Sequence, residues 1–171
     1  MGELFERVSE LDSRYVMQTY RRLPVAFVKG RGTRLWDSDG KEYLDMVGGL
    51  GVTVLGHCHP AVTAAIIEQA QKLLHTTNLY FVEPQAELAE MLVERTFPGS
   101  RCFFANSGAE ANEGAMKLAR KYHFLAGRPR SRVVCLLGAF HGRTLATLSA
   151  TGQPAKWKPF GPVMPGFAHV E

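Results

Sequence analysis

The sequence predicts an α/β fold in which helices cover a mostly parallel sheet, and three features of its second half support this prediction. Two short apolar segments, residues 101–106 and 131–137, have the composition of strands that are buried on both faces. Residues 107–125, which lie between them, have the apolar spacing of a helix. A strand, a helix and a second strand in this order are typical of the unit from which parallel sheets are built.

The start of the chain has a different pattern, typical of one helix followed by a small antiparallel sheet. Apolar residues at helical spacing predict an amphipathic helix over residues 3–18. A strand is expected at residues 25–28, after a proline that ends any helix. Asp39-Gly40 favours a hairpin turn between two further strands at residues 35–36 and 43–44.

These patterns predict two parts, an N-terminal segment of residues 1–60 and the first part of a large α/β domain at residues 61–171. Four glycines within residues 48–56 favour a close-packed loop where the parts join. Prolines at favourable first-turn positions then predict helices over residues 60–74 and from Pro84 onwards.

Composition and charge are those of an ordinary globular protein, with 46% hydrophobic residues, 21% charged residues and a net charge of +4. The basic residues form no broad stripe, which argues against nucleic-acid binding. No apolar run approaches the ~20 residues that cross a bilayer, and the charged N-terminus lacks a signal-peptide core. The three cysteines form no disulfide framework, so a cytoplasmic location is expected.

His57-Cys58-His59 is a pattern that suggests a metal site. Alternate residues of a strand share a face, but two ligands without a third group are a weak signal for zinc. A turn that leads into a helix at Pro60 explains the three residues better. No metal is therefore predicted.

The junction at Ser107, between the first apolar segment and its helix, has features of a phosphate site. Ser107 is followed three residues later by Glu110, which is the spacing of a capping box. Gly108 has no side chain, so a ligand can approach the backbone closely. The N–H groups of Ser107, Gly108 and Ala109 would point out of the helix N-terminus, where the helix dipole favours an anion. A capped helix without a ligand fits the same residues.

The second apolar segment leads into Phe140, His141 and Arg143, which suit a second part of the same site. Because the carboxyl ends of parallel strands meet at one edge of a sheet, this segment is expected beside Ser107. Phe140 can stack on a flat heterocycle, His141 can add a hydrogen bond, and Arg143 can clamp a carboxylate. The alternative is that Phe140 belongs to the core and Arg143 forms a surface ion pair. The ligand interpretation suits a phosphorylated aromatic cofactor that works on an amino acid.

At these residues the sequence resembles the class III pyridoxal-phosphate-dependent aminotransferases, which have the aspartate-aminotransferase-like fold (fold type I). The resemblance covers nearly the whole chain, and its motifs occur in the family's order. They include LGHCHP at 55–60, HTTNLY at 75–80, NSGAEAN at 106–112, FHGRT at 140–144 and TGQP at 151–154. The last two motifs look most like those of the acetylornithine aminotransferases.

The resemblance implies how this chain would bind its cofactor, pyridoxal 5'-phosphate. Ser107, Gly108 and Ala109 would hold the phosphate. Phe140 would stack against the pyridine ring, with His141 beside it. The cofactor site would therefore be formed by the two segments that the residue patterns single out.

The resemblance also implies a reaction and a partner. Arg143 would bind the α-carboxylate of the substrate, and Tyr20 would reach the same molecule. The expected reaction transfers an amino group from N-acetylornithine to 2-oxoglutarate in arginine biosynthesis; ornithine, succinylornithine and 4-aminobutyrate are the alternative donors. Asn78 would lie near the interface of a homodimer whose active sites are shared between subunits.

No catalytic residue is expected within these 171 residues, because the family's Schiff-base lysine and the aspartate at the pyridine nitrogen lie further along its chains. The sequence contains seven lysines, and none has the neighbouring residues that surround the Schiff-base lysine in the family: Lys29, Lys41, Lys72, Lys117, Lys121, Lys156 and Lys158. The chain is thus expected to be the N-terminal portion of the enzyme and inactive alone. A non-catalytic module that binds a phosphate or a partner chain is the remaining alternative. A sheet cut after the strand expected at Phe167 would expose an edge, which predicts aggregation.

Overall fold

The computed structural model describes residues 2–171, which divide into two compact units, one ending at Tyr80 and one running from Phe81 to Glu171. Each unit has its own sheet. The division lies about twenty residues after the boundary predicted at residue 60. That boundary concerns the domains of a larger protein, and it stays a prediction.

The described part of the first unit consists of three helical segments and a three-stranded antiparallel sheet in the order β1-β2-β3. Its elements are α1 (Glu3–Tyr15), β1 (Phe27–Arg31), β2 (Arg34–Asp37), β3 (Glu42–Leu44), α2 (Gly48–Gly51) and α3 (Pro60–Lys72). Leu35 pairs with Tyr43 across the β2-β3 hairpin, so the turn predicted at Asp39-Gly40 is confirmed.

The carboxylate of Asp37 at the end of β2 stabilises the hairpin turn. Asp37 is buried, and its Oδ1 accepts the backbone N–H groups of Asp39 (3.0 Å) and Lys41 (2.9 Å). Its Oδ2 accepts the hydroxyl of Tyr43 at 2.8 Å. Burial by itself would raise the pKa of Asp37, but these hydrogen bonds outweigh it and lower the pKa. The turn is therefore most stable when Asp37 is ionised.

We expect Tyr43→Phe to loosen this turn in the complete protein, because Asp37 loses its hydroxyl donor and its pKa moves back towards the ordinary value. A carboxyl group with a lowered pKa stabilises the fold above its unfolded pKa and loses that contribution as the pH falls, here below about pH 4. Hydrogen exchange measured by mass spectrometry should be faster in the peptide covering residues 38–44. Ser38→Ala is the control, because the Ser38 hydroxyl makes only a long 3.4 Å contact with Asp39. Equal exchange in the two variants would contradict the role of Tyr43.

The glycine-rich segment α2 is a single left-handed turn rather than the irregular loop predicted from the sequence. All four of its residues have positive φ angles, including Leu50 at 62°. A left-handed backbone is costly for residues that carry a Cβ, which explains why the other three positions are glycine. Asp45 fixes the turn, because its Oδ1 accepts the N–H groups of Val47 and Gly48, each at 2.9 Å.

Asp45 also contacts His57, the first residue of the His57-Cys58-His59 pattern that suggested a metal site. The Asp45 Oδ2 lies 2.7 Å from the His57 Nε2. The N–H groups of Gly48 and Val47 and the His57 ring together lower the pKa of Asp45. Cys58 has a φ of 53°, so residues 57–59 are not the extended strand that would place both histidines on one face. Within residues 2–171, His, Cys, Asp and Glu form no cluster of three or more suited to a metal.

The second unit contains α4 (Glu83–Arg95), α5 (Gly108–Leu125), β4 (Val133–Leu136), α6 (Leu145–Ala150), α7 (Pro154–Trp157), a 3-10 helix (Lys158–Phe160) and β5 (Phe167–Val170). β4 and β5 pair in parallel, with Val133 opposite Phe167 and Cys135 opposite His169. The parallel sheet, the helix predicted at 107–125 and the strand expected at Phe167 are therefore confirmed.

Residues 101–106 do not form the strand that their composition predicted. A strand needs a neighbour with which to exchange backbone hydrogen bonds, and no residue of the described chain pairs with this segment. The side chain of Phe103 remains 73% exposed, although one edge of its ring lies against Gly114 of α5. The apolar composition indicated that other residues bury this segment, but it did not identify those residues.

The most buried element is α6, which packs against α5, α7 and both strands of the parallel sheet. Its buried side chains alternate between apolar residues and small polar residues whose hydroxyls are satisfied locally. Ser149 donates to Leu145 O at 2.6 Å, and Thr151 donates to Thr147 O at 2.9 Å. Such small hydroxyl side chains let α6 lie close to the sheet without leaving a buried donor unpaired.

The chain exposes 14363 Å² of surface. Many large apolar side chains are exposed, and they include Leu50, Phe81 and Leu74. Within residues 2–171, the helices are all too short or too polar to cross a membrane.

Candidate functional site

The N-terminus of α5 is capped as the sequence predicts. Ser107 has an extended backbone, and its hydroxyl accepts the N–H of Glu110 at 3.2 Å. The return bond differs from the expected capping box, because the Glu110 carboxylate accepts the N–H of Asn106 at 2.6 Å rather than that of Ser107. The carboxylate is therefore turned back along the preceding chain.

The first turn of α5 has donors and space for an anion. The structure records no acceptor within residues 2–171 for the N–H groups of Ser107, Gly108 and Ala109. A Cβ placed on Gly108 would meet no atom within 4 Å, so the backbone is open on that side. Unpaired N–H groups, the helix dipole and open space together fit a phosphate group.

The structure brings the loop of residues 140–144 directly against this turn. A Cβ on Gly142 would lie 2.8 Å from the Ala109 Cβ and 2.5 Å from the Thr147 Oγ1, so only glycine fits there. Gly142 also has a φ of 136°, which side-chain-bearing residues avoid. The two segments therefore lie against each other, but not as two strand ends of one sheet, because residues 101–106 form no strand.

Two polar residues of α5 hold this loop in place, and sequence reasoning missed both of them. Asn112 Nδ2 donates to the backbone oxygen of His141 at 2.9 Å. The Thr144 hydroxyl donates to Glu113 Oε1 at 2.5 Å and also contacts the Thr147 hydroxyl at 2.7 Å. The only signal in the sequence was that Asn112 and Glu113 are polar residues within an alanine-rich part of α5.

Phe140 lies in this loop with 49% of its surface exposed, so it is not part of the core of the described residues. The guanidinium carbon of Arg143 lies 5.4 Å from the centroid of its ring. The Nζ of Lys156, in α7, lies 5.1 Å from the same centroid. Two cations therefore lie within 6 Å of one aromatic ring, in the loop that contacts the first turn of α5.

His141 is fixed by its backbone. Its N–H donates to the Thr151 hydroxyl at 3.1 Å, and its carbonyl oxygen accepts from Asn112. Its side chain is half-buried. These contacts fix the backbone at His141, but they assign no ligand to its ring.

Tyr20 and Asn78 belong to the first unit, whereas the other predicted site residues belong to the second. Tyr20 is 58% exposed and lines a cleft between α1 and β1. Asn78 is exposed in a turn that follows α3. Their roles stay predictions.

Comparison with known proteins gives consistent results. The family model described as "Aminotransferase class-III" matches residues 15–171. The acetylornithine aminotransferase of Caldanaerobacter subterraneus is 54% identical over 93% of this chain, and that of Methanocaldococcus jannaschii is 50% identical over 94%. The chain covers 40% of each of these two proteins, so it spans about 40% of the length of the curated relatives it matches.

Solved structures share the fold. The ornithine aminotransferase of Toxoplasma gondii matches 98% of this chain with a TM-score of 0.90 and 34% identity. A Bacillus anthracis aminotransferase matches 99% with a TM-score of 0.92 and 33% identity. The chain covers 40% and 39% of those two chains. The predicted fold class, a partial fold-type-I α/β transferase, is confirmed, and these 171 residues belong to the class-III aminotransferase family.

Proposed function

We propose that the complete protein containing these residues is a pyridoxal-phosphate-dependent aminotransferase that transfers the δ-amino group of N-acetylornithine to 2-oxoglutarate, in the cytoplasmic synthesis of arginine. The observation that supports it most is the contact between the first turn of α5 and the loop of residues 140–144. In this contact Ala109 of α5 lies against Gly142, in the loop that carries Phe140 and Arg143.

The cofactor proposal rests on the fit of the first turn of α5. Pyridoxal phosphate supplies an electron-withdrawing ring on which an amino group is exchanged. Ser107, Gly108 and Ala109 would hold its phosphate through their N–H groups, which no described residue occupies. Phe140 would offer one ring face to the pyridine, and His141 would lie beside it. The Toxoplasma ornithine aminotransferase was crystallised with partial occupancy of the same cofactor at its active site.

Arg143 is proposed to bind the α-carboxylate of the amino acid. Its planar guanidinium donates two parallel hydrogen bonds to a carboxylate, which fixes the direction of the substrate as well as its position. The backbone next to it is fixed by the hydrogen bond from Thr144 to Glu113. Tyr20 is proposed to reach the same substrate.

The group that forms a covalent bond with the cofactor is proposed to lie outside these residues. None of the seven lysines stands in the family's matching context, and the chain spans about 40% of its relatives. The 171 residues alone would then be inactive. We further propose a homodimer with shared active sites and with Asn78 near its interface.

N-acetylornithine is favoured as the donor because acetylornithine aminotransferases match this chain at about 50% identity, whereas the ornithine aminotransferase structure matches at 34%. Ornithine, succinylornithine and 4-aminobutyrate are the alternative donors. If the complete protein contains no cofactor-binding lysine, a non-catalytic module that binds a phosphate or a partner chain replaces the enzyme proposal.

The donor is tested by measuring kcat/KM of the complete protein for all four amines with 2-oxoglutarate as the acceptor. We expect N-acetylornithine to exceed ornithine and 4-aminobutyrate by at least about tenfold, because a site shaped for an acyl group rejects amines that lack one. Succinylornithine also carries an acyl group, so its rate tests the preference for the size and charge of that group. A higher kcat/KM for another amine would replace the donor and keep the cofactor. No transfer from any of the four would contradict the proposed reaction.

A further inference from the structure

Threonine hydroxyls on one face of α6 bond to the backbone of the loop of residues 140–144. Thr144 is the N-cap residue of α6, and Thr147 and Thr151 follow it at helical spacing, so the three side chains lie on one face. Thr147 and Thr151 have exposed fractions of 0%. Two buried hydroxyls are therefore available to hold the loop, and each of them bonds to a different end of it.

The first end of the loop is bound at His141 by two side chains, which we call the His141 anchor. The Thr151 Oγ1 accepts the N–H of His141 at 3.1 Å, and the Asn112 Nδ2 donates to the His141 carbonyl oxygen at 2.9 Å. The bonded N–H belongs to the peptide group that joins His141 to Phe140. Because a peptide group is planar, a bond to this N–H limits how the Cα of Phe140, and with it the ring, can tilt.

The second end of the loop is bound at Thr144 by two other side chains, which we call the Thr144 anchor. The Thr147 Oγ1 accepts the N–H of Thr144 at 3.1 Å, and Glu113 accepts the Thr144 hydroxyl. The bonded N–H belongs to the peptide group that joins Thr144 to Arg143. The same planarity therefore limits the tilt of the Cα that carries the guanidinium.

Gly142 lies between the two anchors and separates them mechanically. A Cβ on Gly142 would lie 2.8 Å from the Ala109 Cβ and 2.5 Å from the Thr147 Oγ1, so its backbone is in close contact with both helices. Closely packed atoms have little room to move. A tilt of the peptide group at one anchor should therefore not be transmitted past Gly142 to the other.

We propose that the two anchors position different parts of the site. The His141 anchor places the Phe140 ring against the cofactor, and the Thr144 anchor places the Arg143 guanidinium against the α-carboxylate of the amino donor. The two α6 threonines are then positioning residues, each of which acts through the loop backbone. Such support matters because a small misplacement of a group that contacts the reactants weakens its contribution strongly. This inference rests on the proposed aminotransferase function.

Two variants of the complete protein that keep the shape of the side chain test this division. Thr151→Val removes a hydroxyl from the His141 anchor, so we expect the Kd for pyridoxal phosphate to rise about tenfold and the KM for the amino donor to change by less than about twofold. Thr147→Val should have the opposite effect, with the KM about tenfold higher and the Kd nearly unchanged. The Kd is measured by fluorescence titration of the cofactor-free protein and the KM by steady-state kinetics.

Control variants separate positioning from stability. Thr151→Ser and Thr147→Ser keep the hydroxyls and should restore the wild-type values. Ser149→Ala is the matched control, because Ser149 is buried in the same helix and its hydroxyl bonds to Leu145 O and to the N–H of Met164 rather than to the loop. It should lower the Tm and change neither the Kd nor the KM.

Asn112→Ala and Glu113→Ala remove the same anchors from the α5 side, and they replace any threonine variant that does not fold. Equal changes of the Kd and the KM in the variants of both anchors would overturn the inference, because the anchors would then only stabilise the fold. Unchanged values in all of them, or the same changes in Ser149→Ala, would overturn it as well. If the wild-type protein binds pyridoxal phosphate but transfers no amino group, the proposed reaction fails, and the Kd values alone decide whether the two anchors differ. If it binds no pyridoxal phosphate, the proposed function and the inference both fail.

Discussion

Arg143→Ala in the complete protein is expected to lower kcat/KM for the amino donor by about 30- to 1,000-fold. The substrate would lose a bidentate, charge-assisted pair, and its carboxylate would be left without a partner in the site, which costs about 2–4 kcal/mol. The loss should appear for every amine that carries an α-carboxylate. It is measured by steady-state kinetics with the donor varied at a fixed concentration of acceptor.

Two further variants separate this role from a general effect of charge. Arg143→Lys keeps the positive charge but loses the planar fork, so an intermediate loss is expected. Arg128→Ala removes an exposed arginine that follows α5 and should leave kcat/KM near the wild type. An unchanged kcat/KM in Arg143→Ala would show that this arginine is not the carboxylate clamp.

Gly142→Ala is expected to separate the loop of residues 140–144 from α5. The added Cβ would lie 2.5 Å from the Thr147 Oγ1 and 2.8 Å from the Ala109 Cβ, and the φ of 136° strains any side chain. Strain and overpacking together cost about 2–6 kcal/mol. We expect a lower Tm of the complete protein and a weaker affinity for pyridoxal phosphate in a fluorescence titration.

Gly127→Ala is the matched control for the backbone part of this effect. Gly127 has a φ of 67°, but a Cβ there would meet nothing within 4 Å. This variant should lose some stability and keep its cofactor affinity. If the two variants have the same Tm and the same affinity, the contact between Gly142 and Ala109 does not determine the shape of the site.

Local patterns in the sequence were sufficient for most of the secondary structure of this chain. The helix at Gly108–Leu125 and the strand at Val133–Leu136 both follow from apolar periodicity and length. The β2-β3 hairpin follows from Asp39-Gly40, a pair whose backbone preference alone selects the turn. In each case the signal lies within one segment, so no knowledge of distant contacts was needed.

The features that the sequence did not predict depend on partners far along the chain. Residues 101–106 have a strand's composition, but a strand exists only when a neighbour supplies the other half of its hydrogen bonds. In the site, the bond between Asn112 and His141 spans 29 positions, and the contact between Lys156 and Phe140 depends on where α7 docks. Composition shows that such residues are polar or charged, whereas only the fold shows what they touch.

The large apolar surface of this chain has a consequence for how the complete protein assembles. The chain exposes 14363 Å², and side chains such as Phe81 and Leu50 are almost fully in contact with solvent. Burial of such surface is the main free energy that offsets the loss of chain entropy, so these residues depend on other parts of the protein for much of their stability. No folded intermediate made of this region alone should therefore accumulate when the complete protein is heated.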